Sequence, residues 1–123
     1  MLLGLCSGGP VATQPAPAAP LTPVVSPERA GNGDVTLRIR APQAGRVEVV
    51  SGGDVPGIPL QGGLPLTRGA DGVWQVTLPR LDSGAYRYRF NVDGVATADP
   101  VNPGTSQSNG NAWSLFYVPG AKF

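Results

Sequence analysis

The chain contains no histidine and a single cysteine, Cys6. The first absence removes the usual proton acceptor of nucleophilic hydrolases. Together the two exclude zinc sites of the usual Cys/His kind. One cysteine also rules out a disulfide within the chain. Charge is scarce, at 14% of residues, and the net charge is +1. The cations, eight arginines and Lys122, are spread along the chain rather than gathered in one run. A nucleic-acid or anionic-membrane partner therefore has no electrostatic footing. No apolar run approaches the roughly 20 residues that span a bilayer, so no transmembrane segment is expected. No stretch keeps a helical period, and no internal repeat is visible.

What the chain does have is glycine and proline, 18 and 14 of its 123 residues. Part of this lies in residues 1–26. Met1 to Cys6 is a short apolar start, followed by SGGPVATQPAPAAPLTPVVSP. Such Pro/Ala-rich sequence buries little apolar surface and favours extended polyproline conformations. It predicts a disordered tether over residues 1–26. The start resembles the end of a bacterial lipoprotein signal, with Cys6 as the lipidated residue. That resemblance implies an extracytoplasmic location in a bacterium: secreted, periplasmic or lipid-anchored. Leu5 departs from it, because a small residue is expected before the cysteine, and the basic leader region is missing.

From residue 27 onward, short alternating runs are separated by turn signals. Val35, Leu37 and Ile39 alternate with Thr36, Arg38 and Arg40. Arg46–Ser51 carries Val47 and Val49 on one face, and Leu64–Arg68 is a weaker run. In Val73–Leu78 the residues Trp74, Val76 and Leu78 share a face. In Ala85–Val92 the shared face is Tyr86, Tyr88, Phe90 and Val92. Asp93-Gly94 then marks a tight hairpin turn, because such turns need positive φ. Val95–Ala98 returns and stops at Asp99-Pro100, where proline has no amide to donate. Trp113–Val118 is the last run. About seven short strands with regular turns predict an all-β, immunoglobulin-like antiparallel β-sandwich over residues 27–123.

The stretch GAYRYRFNVDGVATADPVNP, from Gly84 to Pro103, is the most specific part of the chain. With VTLRIRAPQAGRVEVV, LPLTRGADGVWQVTLPRL and a closing VPG, it resembles the early-set immunoglobulin-like modules related to family 48 carbohydrate-binding modules. Such modules precede the catalytic domains of bacterial carbohydrate esterases of the feruloyl and acetyl-xylan type. Related modules occur in starch-branching and debranching enzymes and in a glycogen-binding kinase subunit. The ending SLFYVPGAKF is similar to the junction at which the esterases pass into their catalytic domain. The resemblance implies a non-catalytic accessory module whose partner is an esterase catalytic domain following Phe123. It also implies contact with hemicellulose or an α-glucan. A stand-alone glycan-binding module and a purely structural spacer are the alternatives.

Catalysis by this chain itself is not expected. Those esterases use a Ser–His–acid triad with the serine in a Gly-x-Ser-x-Gly elbow, and the chain has neither the elbow nor a histidine. No cofactor is called for. The six aspartates, Asp34, Asp54, Asp71, Asp82, Asp93 and Asp99, all sit in or beside turns, where their side chains bond local amides. The spacing of Asn91, Asp93, Asp99 and Asn102 does not demand calcium.

Sugar rings stack their C–H faces on aromatic planes. The glycogen-binding relatives do this with two exposed tryptophans, assisted by a lysine and an asparagine. Carried onto this chain, the first tryptophan falls at Gly52–Gly57 and the second at Ala96, and neither is present. The lysine corresponds to Arg89 and the polar loop to Ser106–Trp113. The candidate glycan-binding residues are therefore Arg89, Asn91, Asn109, Asn111 and Trp113. Tyr88, Phe90 and Trp74 read as core, and Arg87 as a solvated charge. Leu115, Phe116 and Tyr117 run consecutively, which makes both faces of that strand apolar. Self-association or marginal stability is expected to follow.

Overall fold

A computed structural model describes residues 23–119, apart from 52, 60, 109 and 110. Among the described residues ten strands follow one another: β1 (Glu28–Arg29), β2 (Val35–Arg40), β3 (Val47–Ser51), β4 (Leu64–Pro65), β5 (Thr67–Arg68), β6 (Val73–Leu78), β7 (Gly84–Val92), β8 (Val95–Thr97), β9 (Thr105–Ser108) and β10 (Asn111–Val118). There is no helix among the described residues. The smaller sheet runs β1-β2-β6-β5 and the larger β4-β3-β7-β10-β9, with β8 beside the end of β7. All pairings are antiparallel. The two sheets form an immunoglobulin-like β-sandwich.

Alternation along each strand makes the core. Val35, Leu37 and Ile39 of β2 face inward with Trp74 and Leu78 of β6. From the other sheet come Val47 and Val49 of β3, Tyr86, Tyr88 and Phe90 of β7, and Val118 of β10; all belong to one cluster. Phe116 packs against this cluster, its ring 5.4 Å from Tyr86 and 5.6 Å from Tyr88. Trp74 Nε1 donates to the carbonyl of Ala41 at 3.0 Å, which satisfies the one polar atom that the indole brings inside. Tyr86 Oη donates to the carbonyl of Asp82 at 2.6 Å and fastens the turn that feeds β7. This is the tyrosine corner of immunoglobulin-like sandwiches.

The hairpin forms where Asp93-Gly94 predicts it. Both residues have positive φ, 49° and 85°, as a two-residue turn of type I′ requires. The run Leu64–Arg68 behaves differently from a single strand. Leu64–Pro65 pairs with β3 in the larger sheet, and Thr67–Arg68 pairs with β6 in the smaller. Pro65 has no amide to extend the first ladder. The chain crosses between layers at Leu66, whose buried side chain joins the core. The last strand starts at Asn111 rather than Trp113, because β9 folds back onto it. β9 reads TSQS and has no apolar alternation to reveal it.

The Asp99–Pro103 segment is tied down by buried polar groups. Asp99 is 3% exposed. Its Oδ2 accepts from Tyr88 Oη and from Ser26 Oγ, both at 2.6 Å. Its amide donates to Ser114 Oγ at 2.7 Å. Asn102 Nδ2 donates to Tyr88 Oη and to the Leu115 carbonyl. Ser26 Oγ in turn accepts from the Arg38 amide. Segments far apart in the chain are thus bound at one point inside the sandwich.

Candidate functional site

The sandwich presents two outward faces, and their chemistry differs. On the smaller sheet the outward groups satisfy one another. Thr36 Oγ1 and Thr77 Oγ1 lie 2.9 Å apart, and Arg38 donates to Gln75 Oε1 and to Glu28 Oε1. Little is left there for a ligand.

The larger sheet is different. Tyr88 and Phe90 point into the core, so Arg87, Arg89 and Asn91 of β7 point out. Register sets their neighbours. Arg89 stands opposite Val50 of β3, Arg87 opposite Leu115 of β10, and Asn91 between Glu48 of β3 and Ala96 of β8. The guanidinium carbon of Arg89 lies 4.4 Å from the centroid of the half-buried Trp113 ring. A cation on an indole face is worth about 0.5–1 kcal/mol near the surface. The Nε of Arg89 is buried without a hydrogen bond, and no ion pair joins Arg89 to a carboxylate among the described residues. Its neighbours are better matched. Arg87 donates through Nε and its amide to Asp54 Oδ2, and Arg46 meets Glu48 at 2.7 Å.

Of the residues that the sequence singles out, Arg89 and Trp113 are therefore brought into contact. Asn91 lies on the same face, two residues along β7. Asn111 pairs with Ser108 through the backbone, but its side chain lies outside the described residues, as do Asn109 and Cys6. Val50, Glu48 and Leu115 complete the surroundings. Sequence reasoning missed them because only cross-strand register places them there.

The turn aspartates do more than cap their own turns. Asp93 Oδ1 accepts from the amides of Gly45 and Arg46, nearly fifty residues earlier, at 3.0 and 2.9 Å. Asp99 and Asn102 meet at the Tyr88 hydroxyl, inside the sandwich and away from the outward face. Burial, reinforced by the Asp99 carboxylate, pushes the Tyr88 phenol far above its ordinary range. Burial also raises Tyr86, with Asp82 and Asp54 adding to the effect. No group of three or more metal-ligating side chains gathers among the described residues.

A groove of about 700 Å³ lies elsewhere, lined by Arg29, Asn32, Arg80, Leu81, Asp82 and Val118 among others. It has no aromatic wall and so offers no stacking plane. The outward face of the larger sheet, with its half-buried indole and a guanidinium that meets no carboxylate among the described residues, is the stronger site.

An all-β sandwich with such a face is the class of protein that the structure defines. No protein-family model matches the chain, and no curated protein matches it in sequence. Solved structures do. A pullulanase from Paenibacillus barengoltzii, in complex with maltohexaose and alpha-cyclodextrin, is 26% identical, with a TM-score of 0.50 over 72% of this chain and 14% of that one. A protein from Salmonella typhimurium assigned as an alpha-amylase is 20% identical, with a TM-score of 0.58 over 77% of this chain and 15% of that one. Ligand-free PulA from Klebsiella pneumoniae is 23% identical, with a TM-score of 0.50 over 74% of this chain and 9% of that one. The last two likenesses concern the fold alone. The chain spans 9 to 15% of the length of these glycoside hydrolases and matches one β-rich part of each.

Proposed function

We propose that the chain is a non-catalytic accessory module of a carbohydrate-active hydrolase, and that it offers the outward face of its larger sheet to polysaccharide. The observation that carries this reading is the stack of Arg89 on Trp113. It brings an aromatic ring and hydrogen-bond donors into contact on an otherwise regular sheet, the two kinds of group that sugar rings and hydroxyls require. The likeness to a β-rich part of a pullulanase crystallised with maltohexaose supports the association with carbohydrate. Without histidine or a Gly-x-Ser-x-Gly elbow the chain cannot build the Ser–His–acid triad of an esterase, so in this proposal ester cleavage belongs to another domain.

The catalytic partner in this proposal is a carbohydrate esterase domain following Phe123. That part rests on the resemblance of GAYRYRFNVDGVATADPVNP and SLFYVPGAKF to esterase modules and their junctions. The solved neighbours support a hydrolase association in general. The proposal also places the module outside the cytoplasm, resting on Cys6 and the Pro/Ala-rich segment after it.

Pull-down on insoluble xylan, starch and cellulose tests the binding. The chain is expected to be retained on at least one of them and released by Trp113→Ala. No retention on any would leave a structural spacer. Reading the coding frame beyond Phe123 tests the partner: an open frame encoding an esterase is expected, and a frame encoding no hydrolase would refute it.

A further inference from the structure

We infer that the Arg89–Trp113 face selects polysaccharides that carry carboxylates, such as uronic-acid-substituted xylans, over neutral glucans. This rests on the reading that the face contacts polysaccharide, and it names the class.

Among the described residues of that face, Arg89 is the cation with no carboxylate partner. Arg87 beside it is held by Asp54, and Arg46 by Glu48. Glu48, one row along the sheet, is the nearest carboxylate by register, and Arg46 already engages it. Val50 stands directly across from Arg89 and the Trp113 ring touches its guanidinium, and neither carries a charge.

The contact with Trp113 also restricts the guanidinium. Its N–H bonds lie in its own plane, where a carboxylate can take two of them at once. Nε is buried, so the terminal nitrogens are the ones presented to a ligand. A neutral glucan gains less here. Arg89 covers part of Trp113, Ala96 stands where a second plane would extend the surface, and the next aromatic on the face, Tyr117, lies two rows away opposite Ala85.

Affinity electrophoresis separates the outcomes. The chain is run through gels containing glucuronoxylan, the same polymer after chemical reduction of its carboxyl groups, soluble starch, or dextran sulfate. Retardation is expected to be strongest on glucuronoxylan and roughly tenfold weaker on the reduced polymer, the worth of one charge-assisted contact. Arg89→Gln is expected to abolish the difference between the two xylans, and Arg89→Lys to retain part of it. Thermal melting of each variant verifies that it is folded. Equal retardation by native and reduced xylan would overturn the selectivity and leave the polysaccharide-binding reading intact. Equal retardation by dextran sulfate would overturn it as mere attraction of any polyanion. No retardation in any gel would overturn both.

Discussion

Tyr88 donates its phenolic proton to Asp99 Oδ2 across 2.6 Å inside the sandwich. The pair joins the centre of β7 to the loop that follows β8. Ser26 shares the same carboxylate oxygen, and Asn102 donates to the same phenol. A buried carboxylate is tolerated only while its donors remain. Tyr88→Phe removes one donor and keeps the ring. It is expected to cost about 1–3 kcal/mol in urea unfolding, the penalty of an under-satisfied buried group. A change below the error of the measurement would show that the remaining donors suffice.

The same phenol sets an alkaline limit on stability. In the unfolded chain Tyr88 ionises near its ordinary value of 10.0, whereas in the fold burial raises it well beyond that. Below about pH 10 both states are protonated and the contribution is fully present. Above it the unfolded state loses its proton first, so stability falls by about 1.4 kcal/mol per pH unit for this group. Tyr86, also raised, acts in the same direction. The urea midpoint is expected to be level from neutral pH to about pH 9 and to fall beyond pH 10. Tyr88→Phe should make that fall shallower.

Asp93 latches the hairpin to the start of β3. Its carboxylate accepts from the amides of Gly45 and Arg46, and its own amide donates to the Arg46 carbonyl. Asp93→Gly accepts the positive φ and removes the side-chain acceptor, while adding freedom to the unfolded chain. It is expected to destabilise by about 1 kcal/mol. Asp93→Asn, which keeps an acceptor oxygen, should lose less. Equal loss in both variants would place the effect in the turn rather than in the latch.

The consecutive apolar residues of β10 separate once folded. Phe116 turns inward to the tyrosine rings, while Tyr117 is 70% exposed. Tyr117→Ser is expected to reduce self-association in light scattering, with a stability change within about 0.5 kcal/mol. Unchanged association would locate the contact elsewhere.

Much of the fold is legible in the residues. The alternation of β2, β3, β6 and β7 and the Asp93-Gly94 turn dictate two layers of antiparallel strands. β9 is not legible, because a polar strand without apolar alternation owes its place to its partner β10. The crossing at Leu66 is hidden for a similar reason, since two two-residue pairings in different sheets read as one run. Within the site, residue type and family resemblance point to Arg89 and Trp113 separately. Their contact depends on the register between β7 and β10, which no local pattern encodes. The buried meeting of Asp99, Tyr88, Ser26 and Asn102 is likewise a product of topology.

The two tryptophans allow the most direct test of the account. Trp74 is buried with its Nε1 bonded to Ala41, and Trp113 is half-buried on the outward face beside Arg89. Their indole N–H resonances, assigned with Trp113→Phe, can be followed in a ¹⁵N spectrum while soluble xylan or malto-oligosaccharides are added. The Trp113 signal is expected to shift in a saturable manner while that of Trp74 stays in place. A Trp113 signal indifferent to every saccharide offered would contradict the assignment of this face to polysaccharide.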